Sequence, residues 1–102
     1  MGYIYKITNK INKKVYIGKT VRQPEIRWKE HLTDTRHPDL PLQKAFKKYG
    51  RESFTFEIIE EVDDNLLNEL EIYYIKQFNS FEKGYNATVG GEGGASHILS
   101  KE

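Results

Sequence analysis

The sequence predicts a small α+β domain, an antiparallel sheet of about three strands flanked by helices in the order β-β-α-α-β-α. Three observations predict it. Two short runs rich in Tyr, Ile and Val, residues 2–8 and 14–19, are separated only by the polar segment "NKINK", which reads as a hairpin. Two stretches with helix-spaced apolar residues follow, each opened or bounded by proline. A third alternating run, 53–62, then precedes a longer helical pattern at 64–78. With 102 residues there is enough chain for one core and not for two.

In the first strand, alternation sets Tyr3, Tyr5 and Ile7 on one face. In the second, Val15 and Ile17 oppose Tyr16 and Gly18, and Gly18 leaves room for a close approach at the strand end. A helix is expected from about Pro24 to Thr35. Its apolar positions Ile26, Trp28 and Leu32 are few, and Arg27 and His31 form an i, i+4 pair on one side. After "RHPDLP" a second helix, about 40–49, carries Leu42, Ala45, Phe46 and Tyr49 and stops at Gly50, with Lys44, Lys47 and Lys48 on its other face. The 53–62 strand alternates Phe54, Phe56 and Ile58 and then doubles its apolar residues at Ile58–Ile59. Asp63 or Asp64 should cap the last helix, about 64–78, whose apolar stripe reads Leu66, Leu67, Leu70, Tyr74 and Phe78. "GYNATV", 84–89, admits a further short strand. "GGEGG" puts four glycines in five residues and supports little regular structure, so the folded domain is expected over 1–89 and a linker or tail over 90–102.

The net charge of +1 conceals an asymmetry. Residues 1–51 hold 13 Lys and Arg against 4 Asp and Glu, a net of +9, whereas residues 52–102 hold 3 against 11, a net of −8. The basic half suits a polyanionic partner, and it also suits a surface whose two halves simply attract one another. No apolar run is long enough to cross a membrane, and no basic, apolar leader opens the chain. The absence of cysteine excludes disulfides and thiolate-bound zinc. A cytoplasmic, non-secreted protein is expected.

Taken one at a time, Tyr5, Tyr16, Arg27, His31, His37, Glu71 and Asn86 each have an ordinary explanation. Tyrosines fill space on a pleated sheet, Arg and His sit on helix surfaces, and Asn follows Gly in turns. Together they carry more. "YIY" (Tyr3–Tyr5), "YIG" (Tyr16–Gly18), "RWKEHL" from Arg27, "ELEIYYIKQF" bearing Glu71, and "GYN" (Gly84–Asn86) fall in one order along residues 2–89. In that set the chain resembles the GIY-YIG nuclease family, most closely the catalytic domains of phage and intron-encoded homing endonucleases. It departs at Tyr3, where the family's letter is Gly.

The resemblance implies a metal-dependent endonuclease acting on DNA. It implies Tyr5 as the general base, Tyr16 orienting water or phosphate, and Asn86 fixing the site. Arg27 offers a planar fork to phosphate oxygens. Glu71 is the candidate metal ligand, and one carboxylate suits Mg²⁺ (or Mn²⁺), which keeps several waters and takes phosphate oxygens. His31 and His37 would contact phosphate or relay the phenolic proton. Zinc finds too few histidines, since His97 lies in the expected tail. Lys19, Arg36, Lys44, Lys47, Lys48 and Arg51 are expected to meet the DNA backbone without reading sequence. A monomer is the default. Two other functions share the basic half: a nucleic-acid-binding module without catalysis, and a protein-interaction domain with an acidic docking face.

Overall fold

The computed structural model describes residues 1–90 and realises the expected order. Strands β1 (Gly2–Asn9) and β2 (Val15–Thr20) form the hairpin, followed by helices α1 (Pro24–Thr33) and α2 (Pro41–Tyr49), strand β3 (Phe54–Val62) and helix α3 (Leu67–Phe78). The sheet order is β2-β1-β3 and both pairings are antiparallel. β1 is therefore central, and β2 keeps one edge unpaired by any strand of this sheet. The tail expected over 90–102 lies, apart from Gly90, outside the described residues.

Alternation along β1 builds two cores, one on each face of the sheet. On one face Tyr5 and Ile7 pack with Phe54, with Leu42, Ala45 and Phe46 of α2, and with Trp28 of α1. Trp28 stacks on Phe56 at 5.2 Å between ring centroids and meets Phe46 edge-on. On the other face Ile4, Ile17 and Val62 pack against Leu67 and Ile75 of α3. The Ile58–Ile59 doubling in the sequence marks an irregularity. Glu60 pairs with Ile4 but Ile58 pairs with Tyr5, so Ile59 is an extra residue on β3 and the strand changes phase there.

Three expectations are corrected. α1 ends at Thr33, not Thr35, because Asp34 turns the chain by accepting the backbone N–H of Arg36. Neither Asp63 nor Asp64 caps α3. A 3₁₀ turn over Asp64–Leu66 leads into it, and Leu66 and Phe78 stay about 40% exposed. The buried residues of α3 are Leu67, Glu71 and Ile75, and the expected Leu70 and Tyr74 pack partly buried against the same core, so that only Leu66 and Phe78 fall off the expected stripe. The third concerns "GYNATV", which forms no strand. Its backbone and one side chain instead close the open edge of β2: Tyr85 N–H donates to Val15 O, and the Asn86 amide accepts Ile17 N–H and donates to Ile17 O.

Candidate active site

The chemistry-bearing residues meet around that edge of β2. A cleft of about 350 Å³ is lined by Tyr16, Arg27, His31, Arg36, His37, Glu71 and Asn86, together with Asp34, Gln43 and Tyr85. Residues from the two faces of the sheet thus share one wall. Tyr16, Arg27 and His31 belong to the α1 side, whereas Glu71 arrives on α3 from the opposite layer.

Tyr5 lies immediately behind this wall, fully buried, with its Oη 2.7 Å from Nε2 of His31. Gly18 makes this placement possible. A Cβ there would stand 2.3 Å from the Tyr5 Cζ and Oη atoms, inside any allowed contact, so the phenol occupies the space a side chain would take. Tyr16 and His31 meet edge-on at 5.3 Å between centroids, and Tyr5 and Tyr16 are 6.3 Å apart. Burial pushes the Tyr5 phenol well above its ordinary pKa, with Tyr16 and Glu71 adding to the rise and the Arg27 charge and hydrogen bond opposing it. His31 moves the other way. Burial, then the Arg27 charge, lower its imidazole from 6.5 to about 4, so the ring is neutral at pH 7.

Arg27 is half-buried and held by Glu30, its Nη1 donating to Oε1 at 3.2 Å. Burial opposes its charge, but the phenols of Tyr5 and Tyr16 together with Glu30 outweigh that and raise its pKa. Glu71 is only 7% exposed, and its Oε1 accepts from the Lys19 ammonium at 2.8 Å. Lys19, expected at the DNA, is thus the cation that accompanies this carboxylate. His37 Nδ1 lies 3.0 Å from Oδ2 of Asp34, which also attracts Arg36. Asn86 anchors Ile17, and Ser80 O–H donates to its Oδ1 at 2.6 Å.

The remaining cations are elsewhere. Lys44, Lys47 and Lys48 are exposed on α2, and Arg51 donates to the Leu32 carbonyl with its guanidinium over the Phe46 ring. Sequence reasoning missed Asp34, Gln43, Ser80 and Tyr85. Gln43 Nε2 donates to the His31 carbonyl at 2.8 Å and ties α2 to α1. Its signal was a polar residue beside Leu42 on the inner side of an amphipathic helix.

The donor set limits what metal could be held. Among the described residues no group of three or more His, Asp or Glu converges. Glu71 supplies one hard oxygen donor at the cleft wall. That fits an ion such as Mg²⁺ or Mn²⁺, which retains waters and takes further oxygens from a phosphate, and it does not fit a caged zinc.

Comparison with known proteins shows the family to which this fold belongs. The sequence model of the family described as the GIY-YIG catalytic domain matches residues 1–86. The chain is similar to intron-associated endonuclease 1 of Enterobacteria phage T4, 38% identical over 97% of this chain and 42% of that protein. It is also similar to the putative endonuclease segB of the same phage, 38% identical over 94% of this chain and 42% of that one. It therefore spans about two fifths of the length of these relatives. Among solved structures it resembles the catalytic domain of homing endonuclease I-TevI, with a TM-score of 0.75 and 36% identity over 86% of this chain and 99% of that one. A mutant form of that domain gives a TM-score of 0.78 over 88% of this chain and 97% of that one. Among the described residues no helix is long and apolar enough to cross a membrane.

Proposed function

Since the chain belongs to the GIY-YIG family, we propose that its cleft hydrolyses DNA phosphodiester bonds and that the domain works as the catalytic part of an endonuclease of the homing type. One observation carries the reading. Glu71, Arg27, Tyr16 and His31 come from three elements and from both layers of the sheet, yet they line a single cleft with Tyr5 directly behind it.

Hydrolysis needs a placed phosphate, a water in line with the leaving oxygen, and a destination for the water's proton. Arg27 offers its fork to the phosphate, held in the cleft mouth by Glu30. Glu71 would hold a divalent cation, which when bound polarises the phosphate and stabilises the departing 3′-oxygen. Burial keeps the Tyr5 phenol protonated at pH 7, so it cannot act as a standing phenolate. It acts as a base through His31. As Tyr5 Oη takes a proton from the water, its own proton passes along the 2.7 Å contact to Nε2 of His31, which accepts it when the neutral ring carries its hydrogen on Nδ1. The water oxygen bonds to phosphorus, the P–O3′ bond breaks, and the leaving oxygen is protonated from solvent.

A second reading has its own support, because Tyr16 and not Tyr5 lines the cleft. In it, Tyr16 meets the water and the Tyr5–His31 pair orients Tyr16. Plasmid cleavage separates the two. With Mg²⁺ present, Arg27→Ala and Glu71→Ala should abolish cleavage at native far-UV circular dichroism, and EDTA should abolish it in the parent chain. Cleavage surviving either substitution in a folded protein removes that residue from the mechanism. Tyr5→Phe should silence the first reading, while a dead Tyr16→Phe beside an active Tyr5→Phe would transfer the base to Tyr16. A folded parent chain that never cuts, whatever the metal, would end the nuclease proposal for this domain alone.

A further inference from the structure

The cleft has two ends, and they differ in charge. At the α1 end the cations are already neighbours of carboxylates. Arg22 and Arg27 share Glu30, while Arg36 and His37 share Asp34. At the other end the cleft is bounded by Pro41 and Tyr85, and these two residues also line a second groove of about 310 Å³ between α2 and the β1–β2 turn. That groove presents Lys14, Lys44 and Lys48 and contains no acidic residue. Among the described residues, none of the three lysines forms an ion pair.

The groove is held in shape by the fold. Tyr85 is its shared floor. Its hydroxyl accepts from Asn9 and Asn12 at 3.0 Å each, and its backbone N–H donates to Val15 O. The Asn12 side chain in turn accepts the Lys14 N–H at 2.9 Å, so the turn that carries Lys14 is fixed to the same tyrosine. Across from it, Lys44 and Lys48 are one helical turn apart on α2, and the Lys48 ammonium rests 5.4 Å over the Tyr49 ring. The groove that carries these lysines shares Pro41 and Tyr85 with the cleft, whereas Arg51 and Lys47 do not line it.

We propose that a DNA strand leaving the cleft passes over Pro41 and Tyr85 into this groove, where Lys14, Lys44 and Lys48 hold its phosphates. The proposal rests on the nuclease reading and gives it a direction: the flank of the scissile phosphate lies along α2 and the β1–β2 turn, not along the α1 end, where each arginine already has a carboxylate beside it. Three compact ammonium groups make the contact blind to sequence, since the one amide in the groove, Asn12, is engaged with Tyr85 and the Lys14 N–H.

Two measurements in EDTA, where the DNA stays intact, test it. In an amide NMR titration with a short duplex, signals from 12–14, 44–49 and 84–85 should shift together with those of the cleft. In fluorescence anisotropy, each of Lys14→Ala, Lys44→Ala and Lys48→Ala should reduce the slope of log K against log salt by about 0.9, and the triple variant by nearly three times that. Lys29→Ala, on the outer side of α1, should leave the slope unchanged. All three groove lysines are exposed, so the triple variant keeps its fold. Shifts confined to the cleft with an unaltered slope in the triple variant would overturn the path and leave the nuclease reading standing. Shifts in the groove alone would break the continuity on which the path depends. A duplex that moves neither set of signals overturns the path, while plasmid cleavage with Mg²⁺ decides the nuclease reading separately.

Discussion

His31 is folded as a neutral ring, and this has a cost at low pH. Its pKa falls from 6.5 in the unfolded chain to about 4 in the fold, so between those values the unfolded state binds the extra proton. Stability from this group is therefore complete above about pH 6.5 and is lost as pH drops toward 4, by about 3 kcal/mol. Urea unfolding at pH 7, 5.5 and 4 should show a larger loss for the parent chain than for His31→Gln, and equal losses would show that the ring is not held neutral by burial. Gly18 is expected to be as unforgiving. Gly18→Ala puts a Cβ into the Tyr5 phenol and should cost about 1–3 kcal/mol while separating Tyr5 from His31. Loss of the Tyr5–His31 contact in the NMR spectrum of a still-folded variant is the decisive observation. Glu71 shows how legible the site was at this scale. Leu67, Glu71 and Ile75 are four apart, a core spacing interrupted by a carboxylate, and a buried charge at such a place signals function. The Tyr5–His31 contact was legible only as two separate polar residues 26 positions apart, because nothing local links them.

At the scale of elements, local pattern was enough for three strands and three helices, since alternation and helical spacing are properties of neighbours. The segment after α3 was not readable in this way. A strand at 84–89 and an amide clamping a strand edge have the same turn-rich sequence, and only the exposed edge of β2 decides between them. The clamp itself is testable. Asn86→Ala leaves the buried N–H and C=O of Ile17 without their amide partner and removes the acceptor of Ser80, and should cost about 1–3 kcal/mol. Hydrogen exchange should show the Ile17 amide losing protection well before those of β1, whose two sides are both paired by strands. Equal protection of the two would mean that another group covers the edge.

For the whole molecule, the split between a basic first half and an acidic second half becomes a division of surfaces. The lysine groove and the α1–α2 side draw on the first half, and β3 and α3 on the second. Sequence alone could locate the charge but not its path, because Lys14 and Lys48 become neighbours only when the hairpin turn folds against α2. Low ionic strength should accordingly favour DNA binding strongly, and binding should fade over the range from 50 to 200 mM salt as released counterions dictate. A binding constant indifferent to salt would contradict the division.

One consequence follows from the active cleft being shared between the two layers of the sheet. Glu71 reaches it on a helix whose own anchorage is a separate small core, Leu67 and Ile75 against Ile4, Ile17 and Val62. The substrate and its cation, gripped by Arg27 from one side and Glu71 from the other, would then serve as a rivet through the sheet's margin. Their arrival should quieten the breathing of α3, slowing amide exchange along 67–78 in a helix that lies on the far side of the sheet from Arg27.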